Sequence, residues 1–165
     1  MRFAVQRWTG YLLLAIVVSL LGSLPAESQS AHSTDIAVVV HPDTPVTDLT
    51  LADVRKVLLG ERQYWTNNLP VVLLVRAPVA RERELVLKVI YRMTESQFKQ
   101  YWIAKIFRAE AASPPKIVYS NDVSKQLVSA VPGAIAFVDA KEVRPGLRVL
   151  RVDGRLPGEP GYPLR

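Results

Sequence analysis

The chain has no cysteine and only two histidines in 165 residues. Disulfides, thiolate metal sites, a cysteine nucleophile and a lipid anchor on cysteine are therefore excluded. His32 lies close to a predicted cleavage site and His41 precedes Pro42 at a predicted strand end, so we expect no metal site. The motifs G-x-S-x-G, G-x-x-x-x-G-K-[ST] and G-x-G-x-x-G are also missing. These absences favour a non-catalytic protein without a cofactor.

The residues that could still suggest catalysis or ligand stacking have structural interpretations. Glu82 and Glu84 are two positions apart on a predicted helix, so they point to different faces and do not form an acid and base pair. Trp102 falls on an apolar helix stripe, and Trp65 follows another aromatic residue in a loop. We expect both tryptophans to pack in the interior.

The amino terminus has the features of an export signal. Arg2 and Arg7 precede an apolar run at 11–24, and small residues follow it. We therefore expect 1–30 to be a signal peptide, cleaved within 26–31, and the protein to be periplasmic or extracellular. A retained membrane anchor is the open alternative, although the apolar run is shorter than the roughly 20 residues that span a bilayer.

The remaining chain has the length of one ordinary domain. We predict a single α/β domain over 31–154 and an irregular, Pro/Gly-rich tail over 155–165, held by Tyr162 and Leu164 if it is ordered. The net charge is +6, but basic residues are interspersed with carboxylates. This pattern favours solubility and a preference for anions, and no nucleic-acid partner is expected.

Strand and helix patterns alternate along this domain. Thr50 and Thr94 are predicted to cap two of the helices, and Phe98, Trp102 and Ile106 form an apolar stripe on the second. The predicted strands lie within 35–41, 71–76, 116–120, 132–139 and 147–154, and the helices begin near 51, 79, 95 and 121. The alternation predicts a three-layer α/β sandwich with a largely parallel or mixed sheet of about five strands.

Two strand-to-helix junctions are candidate anion-binding sites, because the first amides of a helix attract negative charge. At the first junction Arg76 ends a strand and Arg81 begins a helix, with Val79 and Ala80 between them. An alternative is that Arg76 only pairs with Glu82 or Glu84. The candidate residues at the second junction are Ser120 and Asn121, for which a plain helix cap is the alternative.

Four segments carry a family resemblance, and they extend over nearly all of the expected mature chain. They are "DLTLADVRKVLLGERQYWTNNLPVVLLVR" (48–76), "MTESQFKQYW" (93–102), "VPGAIAFV" (131–138) and "VDGRLPGEPGYPL" (152–164). Together they resemble the phosphate-binding-protein-like branch of the type II periplasmic solute-binding proteins, which are receptors of ABC transporters. The resemblance implies an α/β lobe that binds an oxyanion at helix starts.

Two departures from that family modify the expectation. Family members follow the matching Arg with a Ser-Gly-Thr type turn, whereas Ala77 to Ala80 offer no hydroxyl, and Pro78 lacks an amide donor. The chain also has about one lobe's length. We therefore expect a solute-binding-like protein with a degenerate anion loop and weak or altered binding of phosphate or another small oxyanion.

Several partners stay open at this stage. A membrane transporter, a sensor, another envelope protein or a second copy of the chain could complete the single lobe. The alternative function is an envelope protein-protein interaction module that kept the fold and lost small-molecule binding. The apolar turn, the outer basic residues Arg148 and Arg151, and the Tyr/Pro-rich tail would suit such a surface.

Overall fold

A mixed sheet of five strands forms the centre of the fold in the computed structural model, which describes residues 34–165. The strands are β1 (Ile36–Val40), β2 (Asp48–Leu49), β3 (Val72–Arg76), β4 (Lys116–Val118), β5 (Ala134–Asp139), β6 (Arg148–Val149) and β7 (Arg151–Val152). The strand order in the five-stranded sheet is β4-β3-β5-β1-β6. β3 runs parallel to β4 and β5, whereas β1 runs antiparallel to β5 and β6.

Four α-helices of the described segment 34–165 cover the two faces of the sheet. They are α1 (Leu51–Leu58), α2 (Arg81–Val86), α3 (Glu95–Phe107) and α4 (Asn121–Ala130), and a π-helical turn (Leu87–Tyr91) extends α2. The side chains of α1, α2 and α3 pack on one face, while α4 packs on the other. The predicted three-layer sandwich with a five-stranded mixed sheet is therefore confirmed. None of the helices within 34–165 is long and apolar enough to cross a bilayer.

Alternation along β1 explains both layers of the core. Ile36, Val38 and Val40 face the three-helix side, and Ala37 and Val39 face α4, all with no exposed surface. Successive side chains of a strand point to opposite faces, so a continuous β-branched run serves two cores at once. This agrees with the sequence reading of 35–41 as a strand buried on both faces.

Local sequence signals set most helix starts where they were expected. The Thr50 hydroxyl accepts a hydrogen bond from the Asp53 amide, and Thr94 and Gln97 form a reciprocal capping box. The stripe on α3 is only partly in the core, since Phe98 and Trp102 are buried but Ile106 is exposed. The exposed Ile106 is in the last turn of α3, which ends at Phe107.

The segment 147–154 is not the single strand that its alternation predicts. It forms two short strands separated by the buried Leu150, with β6 paired to β1 and β7 paired in parallel to β2. The chain thus moves from one sheet to another, because Leu150 donates its amide to Val38 while Arg151 donates to Thr47. The predicted signal peptide and its cleavage site lie outside the described residues.

Candidate functional site

The carboxyl ends of β3, β4 and β5 meet at one edge of the sheet, because these three strands are mutually parallel. We call this region the carboxyl edge. It contains both predicted junctions, with Arg76 at the end of β3, Ser120 just after β4, and Asp139 at the end of β5. In open α/β sheets this is the edge where ligands bind.

Arg76 already has a carboxylate partner at this edge. Its Nε lies 3.4 Å from Glu82 Oε2, and its Nη1 donates to the Val118 carbonyl at 3.5 Å. Only 12% of the Arg76 side chain and 8% of the Glu82 side chain are exposed. The sequence left open whether Arg76 binds an anion or only pairs with Glu82 or Glu84. The structure shows an ion pair with Glu82. An anion would have to share Arg76 with that carboxylate.

The loop after β3 is a strained and solvent-exposed turn. Val79 has φ of 64° and is 91% exposed. A β-branched residue in the left-handed region is uncommon and costs of order 1 to 3 kcal/mol. Ala80 precedes the first residue of α2, and no side chain caps that helix start. This agrees with the sequence, which offers no hydroxyl there.

Arg81 is the more accessible cation of the carboxyl edge. Its Nη1 lies 3.7 Å from Asp139 Oδ2, and 44% of the Arg81 side chain is exposed. The other oxygen of Asp139 accepts a hydrogen bond from the Lys141 amide at 2.9 Å. Because the pair is long and partly solvated, we expect a weak interaction that a ligand can rearrange.

The second junction uses its polar groups within the protein. The Ser120 hydroxyl accepts a hydrogen bond from the Val123 amide at 3.1 Å, so it acts as the cap of α4. Asn121 donates from Nδ2 to Glu142 Oε1 at 2.8 Å, and its buried Oδ1 has no partner among the described residues. A lone acceptor does not favour an anion.

A third cation near this junction is also neutralised. Lys125 Nζ lies 2.8 Å from Asp122 Oδ1 and 3.3 Å from Glu142 Oε2. The hydrogen bond from Lys125 and its charge hold the pKa of Asp122 below its ordinary value of 3.8. The carboxylate is therefore ionised at neutral pH. No cluster of three His, Asp or Glu side chains that could hold a metal occurs among residues 34–165.

The carboxyl edge thus brings Arg76 and Arg81 together, but each of them lies beside a carboxylate. Sequence reasoning named Glu82 as one of two partners for Arg76, and it did not identify Asp139 or Glu142 as parts of the site. Asp139 was visible as the acidic residue that ends a predicted strand. Its meeting with Arg81 depends on the parallel pairing of β3 and β5, which a single sequence does not show.

The fold defines a class, namely an α/β lobe of the kind found in phosphate substrate-binding proteins. The chain is similar to a phosphate ABC transporter substrate-binding protein from Clostridium perfringens that was solved with bound phosphate, with a TM-score of 0.63, 20% identity and 79% of this chain covered. It is also similar to an ABC-type phosphate transport receptor from Vibrio cholerae, with a TM-score of 0.61, 18% identity and 74% covered. A third similar structure is PstS from Borrelia burgdorferi, with a TM-score of 0.58, 17% identity and 74% of this chain covered.

The length relation between these structures and the chain fits a single lobe. The matches cover 51%, 48% and 49% of the three solved chains, so this chain spans about half of their length. No protein-family model and no curated protein matches the sequence. The fold that the family resemblance implied is confirmed.

Proposed function

We propose that the protein is an exported, non-catalytic, solute-binding-like protein that takes a small oxyanion weakly at the carboxyl edge. The observation that carries this proposal is the arrangement of Arg76 and Arg81 at that edge, each already paired with a carboxylate. The cations supply attraction for an anion. Glu82 and Asp139 repel the anion, and the turn at 77–80 has no side-chain hydroxyl that could donate a hydrogen bond to it.

The similar solved structures support the ligand class. The C. perfringens protein holds phosphate, and it and the V. cholerae receptor are named as phosphate transport components. Ligands bind at the carboxyl ends of the strands in open α/β sheets, and this is the reason to place the anion at the carboxyl edge. A transporter or another envelope protein would then be the partner that closes the open side of the lobe.

The pairing makes a specific prediction about Asp139. The substitution Asp139→Asn keeps an acceptor for the Lys141 amide and removes the charge that competes with a ligand for Arg81. We expect it to tighten phosphate or sulfate binding about tenfold, and Arg81→Gln to abolish binding. Thermal-shift titrations with phosphate, sulfate and small carboxylates would measure both, because a ligand at 100 times its Kd stabilises a fold by about 2.7 kcal/mol.

Lys99→Gln is the matched control, because it removes one positive charge, as Arg81→Gln does, from an exposed position on α3. It should leave anion binding unchanged. If neither the natural protein nor Asp139→Asn gives a saturable shift with any anion at several millimolar, the oxyanion proposal is wrong.

The second candidate function is an interaction module in the cell envelope, and the exposed apolar residues favour it. β4 is an edge strand of the five-stranded sheet. Ile117 within β4 is 51% exposed, Tyr119 just after it is 79% exposed, and Val79 in the turn after the neighbouring β3 is 91% exposed. An unpaired strand edge with apolar side chains can add a strand from another protein. Absence of anion binding, together with loss of a protein complex in Tyr119→Ser, would favour this function.

A further inference from the structure

A cavity of about 280 Å³ lies at the opposite edge of the sheet, beside the amino ends of β3 and β4. We call it the amino-edge cavity. It opens between the loop that follows α1 and the loop that follows α3. Val72, at the amino end of β3, is four residue steps, roughly 13 Å, from Arg76 at the carboxyl edge, and none of the lining residues belongs to the proposed anion site. The cavity is therefore a separate site from the proposed anion site.

Apolar and aromatic side chains form most of its wall. Val57 comes from α1, Trp102 from α3, and Pro70 and Pro115 from the two loops. The Trp102 ring packs tightly on Gly60, where an added Cβ would come within 3.1 Å of Cη2. Trp102 is itself 4% exposed, so its position in the wall is fixed by the surrounding side chains.

Hydrogen bonds hold the two loops in place around the cavity. The Gln63 side chain donates from Nε2 to the main-chain carbonyl of Glu110 at 2.8 Å. The main-chain carbonyl of Gln63 accepts a hydrogen bond from the Val71 amide at 2.9 Å. The first bond links the two loops, and the second closes the first loop on itself. The cavity is consequently formed before any ligand arrives, which lowers the entropic cost of binding.

The charged residues of the wall are all basic. Arg62 and Lys116 line the cavity, and no Asp or Glu does. Neither side chain has a carboxylate within 4.0 Å among the described residues, unlike the arginines of the carboxyl edge. The nearby Glu110 is engaged with Arg108 at 2.6 Å and with Lys105 at 3.9 Å.

We propose that the amino-edge cavity binds a small molecule that joins a flat apolar body to one carboxylate. Trp102 and the two prolines would contact the body, and Arg62 and Lys116 would bind the carboxylate. Ligand pockets of this kind are mostly apolar with a few polar groups that fix orientation. The volume holds about ten to fourteen non-hydrogen atoms at protein packing density, which is the size of an aromatic acid with one or two rings.

Calorimetric titration of the purified chain with 2-naphthoate tests the proposal, with the neutral 2-naphthol as the paired probe. The double variant Arg62→Gln/Lys116→Gln should weaken 2-naphthoate about tenfold and leave 2-naphthol unchanged. Lys88→Gln/Lys99→Gln removes the same charge from exposed positions outside the cavity and should change neither. Excess phosphate should not compete, since its proposed site is at the other edge.

A filling variant locates the binding. Ala112 is exposed at the cavity, so Ala112→Phe should fill it without disturbing the core and should abolish binding of both probes. Unfolding curves would confirm that each variant folds. No saturable binding of 2-naphthoate at millimolar concentration, or binding that survives Ala112→Phe, would overturn the proposal. Equal losses of acid and naphthol in the charge variant would overturn the carboxylate assignment.

Discussion

At the scale of single residues, Arg83 shows how a buried cation is accommodated in this fold. Only 3% of its side chain is exposed. Its guanidinium lies 4.1 Å from the centroid of the Phe98 ring, and its Nε and Nη2 donate to the two oxygens of Glu95 at 2.8 and 2.9 Å. Stacking and a bidentate pair together offset the cost of removing the charge from water. The pair also fastens the start of α3 to α2.

Glu95→Gln should therefore destabilise the protein in a pH-dependent way. The hydrogen bonds from Arg83 hold the pKa of Glu95 below its ordinary value of 4.5, although desolvation opposes them. Because the folded pKa is depressed, the stabilisation is complete above pH 4.5 and is lost as the pH falls through the folded pKa. Urea unfolding should show a loss of about 1 kcal/mol at pH 7, and a difference that shrinks as the pH falls below 4.5.

Glu110→Gln is the comparison for that experiment. Glu110 also pairs with an arginine, and its pKa is also lowered, mainly by the hydrogen bond from Arg108. Both side chains are largely exposed, however, so solvent screens the pair. An effect of Glu110→Gln as large as that of Glu95→Gln would contradict the importance we assign to the burial of Arg83.

At the scale of elements, the turn from α4 into β5 is tightly constrained. Gly133 has φ of 78°, and an added Cβ would lie 2.0 Å from the Pro70 carbonyl oxygen. Its own carbonyl accepts hydrogen bonds from the Val72 amide and from Trp65 Nε1, both at 3.0 Å. The turn thus fixes the start of β5 against the loop before β3. Only glycine fits both the space and the backbone angle.

Gly133→Ala should be far more harmful than Gly146→Ala. Both glycines have positive φ, so both substitutions introduce backbone strain of about 1 kcal/mol or more. Nothing lies within 4 Å of an added Cβ at Gly146. We expect Gly133→Ala to lose at least about 2 kcal/mol beyond the control, because the Pro70 backbone must move. Denaturant unfolding of the two variants would measure the difference, and equal losses would show that the loop yields freely.

The elements that the sequence predicted well are those with local causes. Thr50, Thr94 and Ser120 act on amides three residues away, so their capping roles can be recognised from sequence alone. The antiparallel pairing of β1 with β5 and the break at Leu150 depend on residues far away in the chain. The partner of Arg81 was hidden for the same reason, since Asp139 is brought near only by the sheet.

At the scale of the whole molecule, the Pro/Gly-rich tail is part of the core. Tyr162 and Leu164 are buried, as their expected anchoring role requires. The Tyr162 hydroxyl donates to the Ile36 carbonyl at 2.8 Å, and the Ile36 amide donates to the Leu164 carbonyl at 2.9 Å. Asp35, the residue before β1, accepts a hydrogen bond from the Gly158 amide at 2.6 Å. The tail is thus bound along the first strand.

Leu164→Ala should lower the stability of the entire fold by about 2 to 4 kcal/mol, because it leaves a cavity against β1. Ile103→Ala, which removes the same number of carbon atoms from a 55% exposed position on α3, is the control and should have little effect. Thermal or urea unfolding would give both values. A loss of stability for Leu164→Ala as small as that of the control would mean that the tail contributes little to the stability of the fold.

The binding of the tail to β1 has a consequence for biosynthesis. β1 is among the first described residues to leave the ribosome, yet its neighbours in the sheet lie about a hundred positions later, and its final contacts come from the last few residues. The native pairing of β1 is therefore out of reach until the chain has been synthesised as far as Leu164. The segment that contains β1 therefore stays without its sheet partners while the roughly hundred residues between them are being added.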